Sequence, residues 1–148
     1  MKFTYDPNLY ELEDGVHLAQ FNGVKPFDAS KSKDPQANTY GPAVTWSFTV
    51  VDGENKGKEA NVITAQRPSK KNSCIRMIAG IIGYPPKEME EVDIDQFKGQ
   101  YYAITVHDGR LSHQFPPRRM GATYNQAMAA FNPDWQPAAV DPNSTVPF

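Results

Sequence analysis

Residues 43–51, AVTWSFTVV, alternate between apolar side chains and small hydroxyl side chains. Val44, Trp46, Phe48 and Val50 share one parity, and the positions between them are threonine or serine. A period of two residues is typical of a β-strand with one face against a core and the other toward solvent. This segment therefore predicts a half-buried strand, and its neighbours in the sequence decide which sheet it joins.

Four further strands are predicted around this segment from apolar alternation bounded by turn residues. They cover residues 15–24, 58–66, 101–107 and 110–115. The first of them needs a bulge to keep its apolar residues on one face. The last two are joined by Asp108-Gly109, which is the signature of a two-residue type I′ hairpin turn.

One helix is predicted between the third and fourth strands. Isoleucines recur at helical spacing over residues 75–82, so this helix has one apolar side. Ser69 or Ser73 is expected to cap its N terminus. Gly83 and the two prolines that follow it shortly are expected to end it.

The element order predicts a mostly β chain: a five-stranded OB-fold, which is a Greek-key barrel, with one helix between strands 3 and 4. Another small β-barrel or an α+β sheet with the same element count is the alternative. Residues 1–14 are interpreted as an N-terminal arm and residues 15–117 as the OB-fold domain. Residues 118–148 are interpreted as a flexible C-terminal tail with a short helix within 122–131.

Composition excludes several classes of protein. The 148 residues contain no apolar run near the ~20 residues that span a bilayer, so no membrane association is expected. The single cysteine, Cys74, excludes an intramolecular disulfide and a multi-cysteine zinc site. A cytoplasmic protein without a cofactor is therefore expected.

The sequence favours a protein that is not an enzyme. Cys74 at the helix start has no base in its sequence neighbourhood and is interpreted as a structural thiol. The histidines have no carboxylate at a metal-ligand spacing, so no metal site is predicted. A metal-dependent nuclease built on Asp93, Asp95 and His107 is kept as a weaker alternative.

Aromatic and basic residues together indicate single-stranded nucleic acid as the ligand. Nine of the fifteen lysines and arginines lie in residues 15–76, which hold five acidic residues. Bases stack on aromatic rings, and cations follow the phosphates. The predicted binding residues are Lys31, Lys33, Tyr40, Trp46, Lys56, Lys58, Arg67, Lys70, Lys71, Tyr102 and Arg110.

Each of these residues also has a structural interpretation. Trp46 and Phe48 share the parity of core valines, so at least one of them is expected in the core. Tyr101 and Tyr102 point to opposite faces of one strand, so only one can face a ligand. The lysines can equally be solubilising surface residues.

A resemblance to a known family supports the nucleic-acid interpretation. Residues 46–50, 57–58, 73–83 and 95–100 resemble small phage-encoded OB-fold proteins that accompany replication and recombination genes. The resemblance covers roughly residues 15–115. It implies a barrel that binds single-stranded DNA in the cytoplasm of a bacterial host. The final hairpin, with its two-residue Asp108-Gly109 turn, is shorter here than in many such proteins.

The end of the sequence carries a second resemblance. Pro147-Phe148 is similar to the terminus of bacterial and phage single-stranded DNA-binding proteins, although Asp141 is the one acidic residue among the last eight. This resemblance implies that the tail recruits a replication or repair protein through those two residues.

The expectation is therefore sequence-nonspecific binding of single-stranded DNA in replication, recombination or repair, and a homo-oligomer is compatible with it. The alternative is an OB-fold adaptor that binds proteins and no nucleic acid.

Overall fold

The computed structural model describes residues 1–3, 12–27, 42–69, 72–112 and 114–137. Its strands are β1 (Gly15–Phe27), β2 (Ala43–Val50), β3 (Glu59–Ala65), β4 (Tyr101–His107), β5 (Arg110–Leu111) and β6 (Arg118–Gly121). Its helices are α1 (Ser73–Ile82) and α2 (Tyr124–Phe131), and a 3₁₀ turn covers Ile94–Phe97. Neither α1 nor α2 combines the length and apolarity that a crossing of the bilayer requires, and the same holds throughout the described ranges.

The strands form one antiparallel sheet in the order β3-β2-β1-β4-β5, and β6 also pairs with β4. The prediction of a mostly β chain is confirmed. The sheet has six strands, not five, because the fifth predicted strand stops at Leu111 and the chain pairs with β4 again only after Pro116 and Pro117. β3 and β5 contact each other, but no strand pairing joins them in the described part of the chain, so the sheet is not closed there.

A bulge divides β1 into two halves. The register with β2 shifts between Phe21 and Gly23, so Asn22 is the extra residue. Phe21 consequently stays in the core, opposite Phe48, while Gly23 faces outward opposite Ser47. Bulges re-aim side chains in this way, and this one fixes what lies on the outer face of the sheet.

Aromatic rings fill the space inside the sheet. The ring centroid of Phe21 lies 5.1 Å from that of Phe48, 6.1 Å from that of Tyr102 and 6.4 Å from that of Trp46. The hydroxyl of Tyr102 donates a hydrogen bond of 2.6 Å to the Ile81 carbonyl, so this ring ties the end of α1 to β4. Burial raises the pKa of Tyr102 to about 12, as expected for a phenol removed from water.

The N-terminal cap of α1 is Asn72, neither of the two predicted serines. The Asn72 side-chain oxygen accepts from the backbone N–H of Ile75 at 3.0 Å and from that of Ser69 at 3.2 Å. One amide oxygen thereby satisfies donors on both sides of the helix start, which Ser73 inside the helix cannot do. The helix ends as predicted at Gly83, whose φ of 90° lies in the left-handed region.

Residues 118–137 are part of the fold, which corrects their assignment to a flexible tail. β6 extends the sheet, and α2 packs its buried Ala127 and Met128 against Leu18 on the outer side of β1. The expected short helix is α2, with Thr123 as its N-cap. Proline-rich composition suggested disorder, but the apolar side of α2 finds a partner on the sheet that composition does not reveal.

Gly80 permits α1 to lie close to the segment that leads into β6. A Cβ atom added at Gly80 would lie 2.4 Å from the backbone oxygen of Pro117, so the helix or that segment would have to move. Glycine to alanine normally stabilises a helix interior, by about 1 kcal/mol. We expect Gly80→Ala to lower the free energy of unfolding instead, by about 1–3 kcal/mol, in urea denaturation. A raised denaturation midpoint would contradict the close approach.

Candidate nucleic-acid interface

Two of the predicted base-stacking rings lie inside the protein. Trp46 is 2% exposed, and its indole N–H donates to the Thr64 hydroxyl at 2.8 Å. Tyr102 is 0% exposed. Neither ring has a face open to a base, so the assignment of both to the binding surface is corrected to the core. The physical reason is parity, because Trp46 shares its side of β2 with the buried Phe48.

The other tyrosine of the pair faces outward. Tyr101 is half-buried on the outer side of β4. Its ring lies 6.1 Å from the ring of Tyr124, centroid to centroid. The Tyr124 ring lies 6.1 Å from that of Trp135. Tyr101, Tyr124 and Trp135 are called the aromatic cluster below. Tyr124 and Trp135 were not among the predicted binding residues, although the apolar spacing of α2 indicates that this segment packs on the sheet.

The described cations among the predicted binding residues do not converge. Lys56 and Lys58 lie in the β2–β3 turn, where the Lys58 ammonium donates to the Asn55 side chain at 3.4 Å. Arg67 lies just beyond the other end of β3, whose seven residues extend over about 23 Å at ~3.3 Å per residue. Arg110 is exposed on β5. The remaining predicted positions fall outside the described residues: Lys31, Lys33, Tyr40, Lys70, Lys71, Pro147 and Phe148.

An open, mostly polar surface lies on the outside of β1–β3. Because α2 covers the outer side of β4 and the first half of β1, it leaves the second half of β1 uncovered, together with β2 and β3. We call this surface the outer face; it comprises Lys25, Thr45, Ser47, Asn61 and Ile63 around Gly23, which is itself buried. The three strands together contain one carboxylate, that of Glu59.

Lys98 adds a cation to the outer face by crossing Gly23. A Cβ at Gly23 would lie 3.6 Å from Cδ of Lys98 and 3.7 Å from Cε, so the aliphatic stem rests on this glycine. Gly23 also has a φ of 108°, which few other residues adopt. The side-chain amide of Gln20 donates to the Gly99 carbonyl at 3.0 Å and holds the segment that carries Lys98 against β1. Neither Lys98 nor Lys25 was among the predicted binding residues. Lys98 is far from β1 in the sequence and reaches it only because the segment before β4 pairs with β1.

The structure does not bring together Asp93, Asp95 and His107, the three residues of the nuclease alternative. His107 lies beside Asp14, with 3.7 Å between Nδ1 and the carboxylate oxygen, and beside Asp108, with 3.4 Å from Nε2. These three exposed residues are the one His/Cys/Asp/Glu group with metal-binding spacing in the described ranges. Asp93 instead accepts a hydrogen bond from the backbone N–H of Asp95 at the start of the 3₁₀ turn.

Cys74 is buried in the core at the start of α1. Burial raises the pKa of its thiol, and a hydrogen bond with Thr64 opposes that shift. A thiol with a raised pKa is largely protonated at neutral pH and is a weak nucleophile. Its environment therefore favours the structural role over a catalytic one.

A groove of about 740 Å³ lies between the end of α1 and β6. Apolar residues such as Met120 and Pro85 line it, together with Tyr84 and two arginines, Arg118 and Arg119, and its lining within the described ranges includes no carboxylate. The Arg119 guanidinium lies 5.8 Å from the centre of the Phe97 ring. The groove therefore combines apolar contact area with positive charge.

Any function for these surfaces rests on their chemistry, because no protein-family model, no curated protein and no solved structure matches the chain.

Proposed function

We propose that the protein binds single-stranded DNA along its outer face without reading the base sequence. The observation that carries this proposal is the Lys98 side chain, which crosses Gly23 and reaches a surface with hydroxyl and amide groups. Phosphates are attracted to such ammonium groups, and hydroxyl and amide side chains donate to phosphate and sugar oxygens. Lys25 adds a second exposed cation at the end of β1.

The strand order supports an OB-fold as the scaffold. β1 to β3 form a meander, α1 follows β3, and β4 returns to pair with β1. The contact between β3 and β5 is where such a barrel would close. OB-folds bind oligonucleotides on the face of strands 2 and 3, which is the part of this sheet that α2 leaves uncovered. A role in phage or bacterial replication, recombination or repair follows from the resemblance described above and is part of this proposal.

Titration of a fluorescein-labelled oligo-dT, read by anisotropy, tests the proposal. We expect saturable binding, weaker competition from duplex of equal length, and a fall in affinity between about 50 and about 200 mM salt. The salt dependence is expected because each phosphate neutralised by a lysine releases condensed counterions. Binding that is equal for duplex, or insensitive to salt, would overturn the proposal.

Reversing the charge of Lys98 tests the surface itself. We expect Lys98→Glu to lower affinity for oligo-dT by about 10-fold at low salt, because one attraction is replaced by a repulsion. The slope of log affinity against log salt should also become shallower, by about 0.7 for the lost phosphate contact. Arg76→Glu, an equal change at an exposed position of α1, is the matched control. Equal losses in both variants would point to net charge instead of a site.

A protein adaptor is the second candidate function, and the groove between α1 and β6 favours it. Its two arginines and apolar lining suit an acidic peptide that carries an apolar side chain. Arg118→Glu should then abolish retention of a partner from nuclease-treated lysate, while Lys98→Glu leaves retention unchanged. Loss of the partner on nuclease treatment alone would favour DNA as the bridge.

A further inference from the structure

We infer that the aromatic cluster is the base-stacking platform for the DNA strand held on the outer face. This inference rests on the proposed function and extends it from Tyr101 of β4 to Tyr124 and Trp135, which lie beyond the five predicted strands. Tyr101 pairs across β4 and β1 with Gln20, and Gln20 pairs with Thr49 of β2. The cluster and the outer face are therefore neighbouring parts of one surface, with Tyr101 about 10 Å from Thr49 at ~4.8 Å per strand.

The cluster is also adjacent to the cation that carries the proposed function. Gln20, the cross-strand neighbour of Tyr101, donates to the carbonyl of Gly99, the residue that follows Lys98. The Lys98 stem rests on Gly23, which pairs with Ser47 of β2, so a phosphate at the Lys98 ammonium would lie between the strand that carries Ser47 and the side of β1 that pairs with Tyr101. Single-stranded DNA requires this combination of a cation and a π surface.

One ring of the cluster is exposed, and the other two are partly buried against Leu18, Ala127 and Met128, which holds the cluster in place. Tyr124 is 39% exposed, and Tyr101 and Trp135 are half-buried. Tyr124 meets the other two rings edge to face, with interplanar angles of 68° and 89°. It is the first residue of α2, which is capped by Thr123 and anchored by the buried Met128. Rings fixed before binding lose little conformational entropy when a base stacks on them.

The same arrangement predicts a preference for single strands. A base in a duplex is covered on both sides by its neighbours, whereas a base in a single strand can present its face to a ring. Lysines alone would attract both forms, because both carry phosphates. The aromatic cluster is therefore the part of the surface expected to discriminate between them.

Fluorescence of the full chain gives a direct readout, because the protein has two tryptophans and Trp46 is sealed in the core. We expect oligo-dT to quench the emission of the wild-type protein and to leave that of Trp135→Phe nearly unchanged. Tyr124→Ala should lower the affinity for oligo-dT by about 5-fold or more, and Tyr124→Phe should retain it. Tyr84→Ala, which removes an exposed tyrosine beside the α1–β6 groove, is the matched control.

The outcomes separate this inference from the proposed function. Salt-dependent binding that Lys98→Glu weakens, together with unquenched emission and a Tyr124→Ala affinity equal to that of Tyr84→Ala, overturns the inference and leaves the proposed function standing. No binding of oligo-dT at low salt overturns both. Circular dichroism melting of each variant verifies that it remains folded, and the quenching that Trp135→Phe removes tests the cluster without a substitution at Tyr124.

Discussion

Trp46→Ala is expected to lower the free energy of unfolding by about 3–5 kcal/mol and to leave the affinity of the folded protein for oligo-dT unchanged. The indole is 2% exposed and lies beside the Phe21 ring, so its removal leaves a cavity that the strands cannot collapse to fill. The substitution also removes the hydrogen bond to Thr64, whose hydroxyl keeps the Ala65 carbonyl as a partner.

Chemical denaturation, combined with binding measured well below the midpoint, separates the two effects of this substitution. Trp46→Phe is the conservative control: it retains a ring in the core and loses the indole N–H, so a smaller loss, of about 1–2 kcal/mol, is expected. A stability loss below ~1 kcal/mol for Trp46→Ala, accompanied by weaker DNA binding, would place this ring on the surface.

Leu18→Ala is the second substitution with a large expected effect, a loss of about 2–5 kcal/mol in the free energy of unfolding. Leu18 is 0% exposed although it lies on the outer side of β1, because Ala127 and Met128 of α2 cover it. The loss should be accompanied by faster amide hydrogen exchange in α2, since the buried contact of its Ala127 and Met128 with β1 is weakened.

Val16→Ala provides the comparison for Leu18→Ala. Val16 lies two residues earlier on the same strand and side, but it is 53% exposed, so a loss of roughly 0.5 kcal/mol is expected. Equal destabilisation by the two substitutions, or unchanged exchange in α2, would show that the helix does not protect this part of the sheet.

Local patterns predicted those elements whose signal lies within a few neighbouring residues. The alternation over residues 43–51 predicted β2, and the isoleucine spacing predicted α1. Asp108-Gly109 predicted the β4–β5 turn, and both residues have the positive φ, 52° and 74°, that a type I′ turn requires. In each case the signal is local, because short-range sterics set the backbone conformation of a few neighbouring residues.

The candidate interface could not be predicted in the same way. Parity showed that Tyr101 and Tyr102 point to opposite faces, but it did not show which face is the core, and the structure reverses the choice. Likewise, nothing near Lys98 in the sequence reveals that its stem crosses Gly23, because that contact arises when the segment before β4 pairs with β1.

The amino-acid sequence by itself determined the kinds of elements, most of their order, and the alternation of each strand, because these depend on residues close together in the chain. Only the tertiary structure decided which side of each strand is buried and that residues 118–137 pack on the sheet. The tertiary structure also decided which cations and aromatic rings lie near each other on the outer surface of the sheet. Those outcomes depend on contacts between segments that are distant in the sequence. The apolar side of one element is removed from water only when another element packs on it.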